Sequence, residues 1–205
     1  NLGVLFLFKY WNFVLSVING LIGMELKLSV SLLMPIGISF YTFQALSYVI
    51  DVYRGTTSVQ KNLLNVALYI SFFPQLVAGP IVRYNTVEQQ ILSRTHSWEL
   101  FSSGSTRFVQ GLAKKLILAN SFAIVADNIF SITNAGHQLM AIPVTLAWLG
   151  SFAYTLQIFF DFSAYSDMAI GLGRMFGFCF EENFSYPYIS RSIGEFWRRW
   201  HISLS

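Results

Sequence analysis

Charge is what this sequence has least of. Of its 205 residues only 11% are Asp, Glu, Lys or Arg, while 54% are hydrophobic. A soluble domain carries about 25% charged residues, so less than half of the usual polar cover is present and the exterior is expected to face lipid. Cysteine occurs once, at Cys179, which excludes an intrachain disulfide. No Cys/His cluster has metal-ligand spacing, and the lone thiol reads as a small buried side chain. Internal repeats and low-complexity stretches are absent. The net charge of +3 points to no nucleic-acid partner, because the basic residues sit at the ends of apolar stretches and not along one face.

What is present is a set of long uncharged runs. Residues 28–50, 62–82 and 128–160 contain no Asp, Glu, Lys or Arg. A helix needs about 20 mostly apolar residues to cross a hydrocarbon core of roughly 30 Å, and each run is long enough. The expected fold is all-α: a polytopic transmembrane helical bundle forming one membrane domain over 1–205, with the lipid bilayer as its first partner. A shorter run, Tyr10 to Met24, lies between Lys9 and Glu25 and lacks the basic region and small-residue cleavage site of a signal peptide. The chain begins with Asn, and both ends read as interior to a longer protein, so a site completed by further residues is expected.

Spans at 28–50, 62–82, about 108–126 and 138–160 sort the basic residues. Lys27, Arg83, Arg94, Arg107, Lys114, Lys115, Arg174, Arg191, Arg198 and Arg199 fall on one side, and only Arg54 and Lys61 on the other. The positive-inside bias places the first group in the cytoplasm. The segment 83–107 reads as the one long polar loop, with His96 solvated in it and His137 at an interface; neither is given a role. Pro35 and Gly37 interrupt one span, and Pro74, Gly79 and Pro80 another. Proline removes a backbone donor and clashes with the preceding turn; in lipid the freed carbonyls need protein or a watered cavity. Broken or re-entrant helices are expected there.

Asp161 and Asp167 follow the long uncharged run 128–160, and acids at membrane depth usually face a cavity or a partner. On a helix, Ser163, Ser166 and Asp167 share one face while Asp161 stacks with Tyr165 on another, so the two carboxylates form no catalytic pair. Capping or bonding of helix ends is the plainer reading of both. Gly171, Gly173 and Gly177 do not make a dinucleotide fingerprint, because the last glycine is one residue late and no strand precedes it; Gly173 and Gly177 read as a helix-packing face.

The segment "SIGEFWRRWHISLS" opens with Ser192 and Glu195 spaced as a capping box. A helix from there would put Ile193, Trp197, Trp200 and Leu204 within about 60° of one another, pair Glu195 with Arg199 at i+4, and leave His201 at the stripe's edge. Arg198 and Arg199 offer charge to a phosphate-rich donor. Read from the residues alone, this fits an interfacial anchor better than a reaction site.

Four blocks in order shift that reading: "MPIGISFYTFQALSYVIDVYRG", "FFPQLVAGPIVRY", "FFDFSAYSDMAIGLGRMFGF" and "ENFSYPYISRSIGEFWRRWHISLS". From about residue 28 onward the chain resembles the membrane-bound O-acyltransferase family, nearest to its bacterial alginate O-acetylation branch. The resemblance implies a multi-span enzyme of the bacterial cytoplasmic (inner) membrane that carries an acyl group from a thioester donor to a hydroxyl. The donor is acetyl-CoA, with no bound cofactor or metal, and an extracytoplasmic acetyltransferase partner passes the group to a polysaccharide. By the same resemblance His201 is the first of two polar positions of the reaction chamber. The second, a histidine in a Trp-His-Gly context, lies beyond the sequence, so this piece alone is expected to be inactive. Trp197, Arg198, Arg199, Trp200, Asp161, Ser163 and Asp167 are the expected substrate-contacting residues. Direct attack on the thioester and a covalent acyl-histidine both fit this pattern. D-alanyl transfer to teichoic acid by the same family, a transporter, and a non-catalytic scaffold of an exopolysaccharide complex are the alternatives.

The side assignment is testable in the full-length protein. Cysteines introduced at Thr95 and Gly55 are expected to label from opposite faces of intact cells, with Thr95 reached only from the cytoplasm. Labelling of Thr95 by an impermeant reagent added outside would reverse the orientation.

Overall fold

A computed structural model of the chain describes residues 1–23, 35–75, 82–134 and 143–204. The described residues are helical apart from short turns and one isolated antiparallel bridge. They divide into two compact units, 1–91 and 92–205.

In the first unit, α1 (Leu2–Lys9) and α2 (Trp11–Ile22) are bent by 61° about Tyr10. Gly23 ends α2 in the left-handed conformation (φ 68°), its N–H bonding Asn19 O, a stop that glycine adopts without a Cβ penalty. Pro35 and Gly37 interrupt the expected span, whose residues 28–34 lie outside the described residues. They form a turn in which Ile38 N–H bonds Pro35 O and Gly37 has φ 80°, and this turn launches α3 (Ile38–Tyr53). Asn62 caps α4 (Leu63–Ser71) by accepting from Leu64 N–H. That helix stops at Phe72, which is extended, before the 3₁₀ turn Phe73–Gln75. Pro74 has no N–H to continue the ladder, so the expected interruption is present; Gly79 and Pro80 lie outside the described residues, as does His137. The unit's core is a tyrosine cluster. Tyr69 and Tyr84 meet edge to face at 5.1 Å and Tyr84 meets Tyr48 at 4.9 Å, while buried Gln44 bonds Gln75 and Tyr69 O. α5 (Tyr84–Leu92) follows.

The second unit is built on two long helices. α6 (Trp98–Ala113) runs through a π turn, Lys114–Ala119, into α7 (Asn120–Asn134). It packs along α8 (Val144–Met175). The supposed polar loop 83–107 is therefore mostly helix. Ser97 starts α6 by accepting from Leu100 N–H, a cap whose signal lay in Ser97 followed by the apolar pair Leu100 and Phe101. Lys114 and Lys115 stand in the π turn. The two helices touch backbone to backbone: a Cβ on Gly171 would stand 2.6 Å from Gly104 O and from Phe108 N, and one on Gly111 would stand 2.8 Å from Ala164 O. Gly173 and Gly177 are packed tightly too, but not as a helix-packing face. Gly173 lies under the Phe180 ring, and Gly177 (φ 79°) is beyond the end of α8, against Thr95 and His96. Cys179 is exposed, not buried.

Among the described residues one helix, Trp98–Ile132, is long and apolar enough to cross a membrane, and α1 with α2 would do so if they form one broken span. Its 35 residues extend roughly 50 Å at 1.5 Å per residue, well beyond a 30 Å core. Ile117, Ile124 and Ile132 on it, with Trp148 and Phe152 on α8, point outward, as a lipid-facing surface requires.

Two glycines in helices give opposite expectations. Gly171→Ala forces helix backbones apart and is expected to cost about 1–3 kcal/mol. Gly20 meets nothing within 4 Å, so Gly20→Ala is expected to stabilise by up to about 1 kcal/mol through helix propensity. Thermal unfolding of the full-length protein in detergent reads both; equal shifts would show that the α6–α8 approach is not as close as described.

Candidate functional site

The second unit brings together the chemistry singled out in the sequence, in two adjoining places. One is a cavity of about 490 Å³. Ser163, Ser166 and Asp167 of α8 line it on one face, with Gln110 and Lys114 from the facing helix and Glu182 to Tyr186 from the segment after α8. Asp167 accepts from Arg107 Nε at 2.8 Å and also pairs with Lys114. Arg107 reaches Glu182 at 2.5 Å. Two cations and two carboxylates thus neutralise one another along one wall. The remaining groups are dipoles: Ser163 Oγ, Ser166 Oγ and Asn183 Nδ2 are buried with no hydrogen-bond partner among the described residues. Burial of an unpaired polar group costs about 1–3 kcal/mol, and a ligand or water in the cavity would relieve that cost.

Asp161 is elsewhere. It pairs with Lys115, and both side chains are about half exposed, 50% and 41%. The π turn makes the division possible. Asn120 N–H bonds Lys115 O, five residues back, and the widened turn presents consecutive lysines to acids six positions apart on α8.

The second place is the turn that carries His201. The expected helix through Leu204 is not formed. Ser192 Oγ accepts from Glu195 N–H at 3.1 Å, while the Glu195 carboxylate reaches back to Arg191 N–H at 3.0 Å and pairs with Arg199 at 2.9 Å. The capping serine and the i+4 pair are therefore present, but α9 ends at Ile193–Arg199. Trp200 is extended and His201 is left-handed, φ 49°. The cause is a neighbouring strand-like segment. Ser185 N–H bonds Arg199 O and Ile202 N–H bonds Asn183 O, both at 3.0 Å, around a bridge between Phe184 and Trp200. These bonds compete with the helical ladder and win it because Trp200 is held among Phe159, Phe184 and Phe196 at 5.1–6.2 Å. Ile193 and Trp197 consequently do not form a packed stripe; they are 79% and 54% exposed.

His201 itself is buried, 8% exposed, and not at a boundary. Its ring meets Phe162 edge to face at 4.8 Å, and Nε2 has no hydrogen-bond partner among the described residues. Burial holds its pKa below the ordinary histidine value, so the imidazole is neutral at pH 7 and able to accept a proton. Arg199 is engaged by Glu195 and Ser185 O, whereas exposed Arg198 donates, among the described residues, through Nε to Gly194 O. Neither arginine, nor Trp197, Trp200, His201 or Asp161, lines the cavity. Arg107, Lys114, Glu182 and Asn183 were missed as site residues. Arg107 and Lys114 read as side-marking charges, and nothing local to "EENF" signals that Asn183 would be buried.

Comparison with known proteins agrees with this region. Residues 57–205 match the model of the membrane-bound O-acyltransferase family. Over its whole length the chain is 52% identical to the "Probable alginate O-acetylase AlgI" of Pseudomonas syringae pv. tomato, of which it covers 39%. It is 34% identical to the peptidoglycan O-acetyltransferase of Helicobacter pylori, again over the whole chain, covering 43% of that protein. It is 31% identical over 83% of its length to the teichoic acid D-alanyltransferase of Bacillus subtilis, covering 42%. The chain therefore spans about two fifths of the length of the curated relatives it matches.

The two acids are expected to differ in worth. Asp167→Asn weakens a shielded pairing with two cations and should lower stability by roughly 1.5–3 kcal/mol, the range for hydrogen bonds to charged groups. Asp161→Asn removes a solvent-screened pair and should cost roughly 0–1 kcal/mol. Thermal unfolding of both variants in the full-length protein checks this, and raised salt should narrow only the second effect.

Proposed function

This chain belongs to the membrane-bound O-acyltransferase family, as part of an integral membrane protein, and from that premise we propose that the full protein is an O-acetyltransferase of the alginate or exopolysaccharide type. It spans the bacterial cytoplasmic membrane several times as one membrane domain. It takes an acetyl group from a cytoplasmic thioester, acetyl-CoA, and moves it toward an extracytoplasmic acetyltransferase partner and a polysaccharide acceptor. The higher identity to the alginate-type relative than to the D-alanyltransferase, 52% against 31%, supports this branch over D-alanyl transfer.

The observation that carries the reading is the state of His201. A neutral, buried imidazole with an unpartnered Nε2 is what proton transfer or oxyanion stabilisation needs, and a headgroup anchor has no use for burial. In the reaction, the acceptor hydroxyl attacks the thioester carbonyl as its proton passes to a histidine base; the C–S bond breaks, and the departing thiolate takes up a proton. Positioned proton transfer contributes roughly 10²–10⁴-fold. His201 orients the reacting hydroxyl or hydrogen-bonds the developing oxyanion, beside a second histidine supplied by the rest of the protein. Ser163 and Asp167, in the cavity wall, and Trp200, packed beside His201, shape the substrate path. Trp197 and Arg198 border it, and Arg198, with most of its guanidinium N–H groups unused among the described residues, meets the donor's phosphates in preference to the internally paired Arg199. Asp161 supports this region through Lys115.

The test is acetyl-CoA-dependent acetylation by membranes carrying the full-length protein. His201→Ala is expected to insert and express normally while transfer falls tenfold or more, about 1.4 kcal/mol of transition-state stabilisation. Neutralising Arg198 should raise the KM for acetyl-CoA more than it lowers kcat. Full activity of a well-expressed His201→Ala variant would remove the catalytic reading.

A further inference from the structure

His201 holds a backbone conformation that non-glycine residues rarely take, φ 49°, and it does so two residues after the end of α9. Something must fix the chain on both sides of it. Before it, Arg199 O accepts from Ser185 N–H. After it, the fixing is done by one residue. Asn183 O accepts from Ile202 N–H at 3.0 Å, and Asn183 Oδ1 accepts from Ser203 N–H at 3.2 Å and from Ser203 Oγ at 3.1 Å. Asn183 is 1% exposed, so these bonds are shielded from competing water. The carboxamide also faces the cavity, where its Nδ2 has no partner among the described residues. One side chain therefore touches both the cavity and the turn that carries the imidazole.

We propose that Asn183 is the positioning residue for His201, its carboxamide oxygen locking the 201–203 turn so that the imidazole keeps its place against Phe162. The proposal rests on the reading of His201 as a reaction-site residue. Asparagine suits the task because its oxygen accepts two bonds at once. A purely structural asparagine would matter to the amount of folded protein and not to the rate of each molecule.

The experiment compares Asn183→Ala, Asn183→Asp, Ser203→Ala and His201→Ala in the full-length protein, measuring kcat and KM for acetyl-CoA together with the amount of inserted protein. Asn183→Ala is expected to lower kcat at least tenfold with KM changed less than threefold. Asn183→Asp, which keeps the accepting oxygen, should recover most of that loss. Ser203→Ala, which removes one of the two donors and is the reserve measurement should Asn183→Ala not insert, should lower kcat about two- to fivefold. In the His201→Ala background, Asn183→Ala should add nothing, because its effect passes through the imidazole. Several results would overturn the proposal. These are unchanged kcat in Asn183→Ala or Ser203→Ala, equal losses in the alanine and aspartate variants, or losses that multiply in the double variant. Full activity of His201→Ala would instead remove the underlying reading of His201, a distinguishable result.

Discussion

The second unit depends on the closeness of two helices. Gly104 and Gly111 on one and Gly171 on the other leave no room for a Cβ, so α6 and α8 run backbone against backbone. Between membrane helices there is little hydrophobic driving force, and small residues that allow such approach supply much of the packing. With that spacing set, charges meant for the ends of spans meet across the helix pair: Arg107 and Lys114 reach the shielded Asp167, and Lys115 reaches the half-exposed Asp161. A bulkier residue at 171 would separate the helices and leave a carboxylate without its two cations. The charged half of the helix pair and its apolar half then divide naturally, the apolar half matching a bilayer and the paired charges standing toward one end.

Much of this was legible in the sequence, and the limits are physical. The shared face of Ser163, Ser166 and Asp167 follows from helical period alone, as does the separation of Asp161, and the structure shows both. The Ser192 cap and the Glu195–Arg199 pair are local and were readable for the same reason. The end of α9 was not, because it is decided by residues 183–185, some fifteen positions earlier, whose main chain competes for Arg199 O and Ile202 N–H. The π turn at Lys114–Ala119 was equally invisible. No local residue signals it; it is the register in which two lysines meet two acids on another helix. The polarity of 83–107 conceals α5 and the start of α6, of which the Ser97 cap is the local sign.

The cavity wall also alters what the site's charges mean. Counted by sequence, Arg107 and Lys114 look like cations available to an anion. In place, each is paired with Asp167, and Arg107 also with Glu182. An anion entering the cavity would have to compete with carboxylates already held at hydrogen-bonding distance, so the cavity suits uncharged dipoles. Ser163 and Ser166 supply those dipoles without spending them on one another.

His201 completes the contrast between an anchor and a reaction site. Continuing α9 by one turn would have kept the residue helical and placed the imidazole at the edge of an apolar stripe, with no backbone strain. The chain instead breaks the helix, accepts a left-handed histidine, and buries the ring with Nε2 unsatisfied. Strained backbone of this kind costs of order 1–3 kcal/mol and persists only where surrounding contacts over-determine it. Here those contacts are identifiable: the Phe184–Trp200 bridge, the aromatic packing of Trp200, and the bonds from Asn183 to residues 202 and 203. All of them act on the residues flanking His201 and leave Nε2 itself unengaged. A helix one turn longer would hold this segment without that strain; fixing the neighbours while Nε2 has no partner among the described residues is the arrangement that the proposed acyl-transfer role requires.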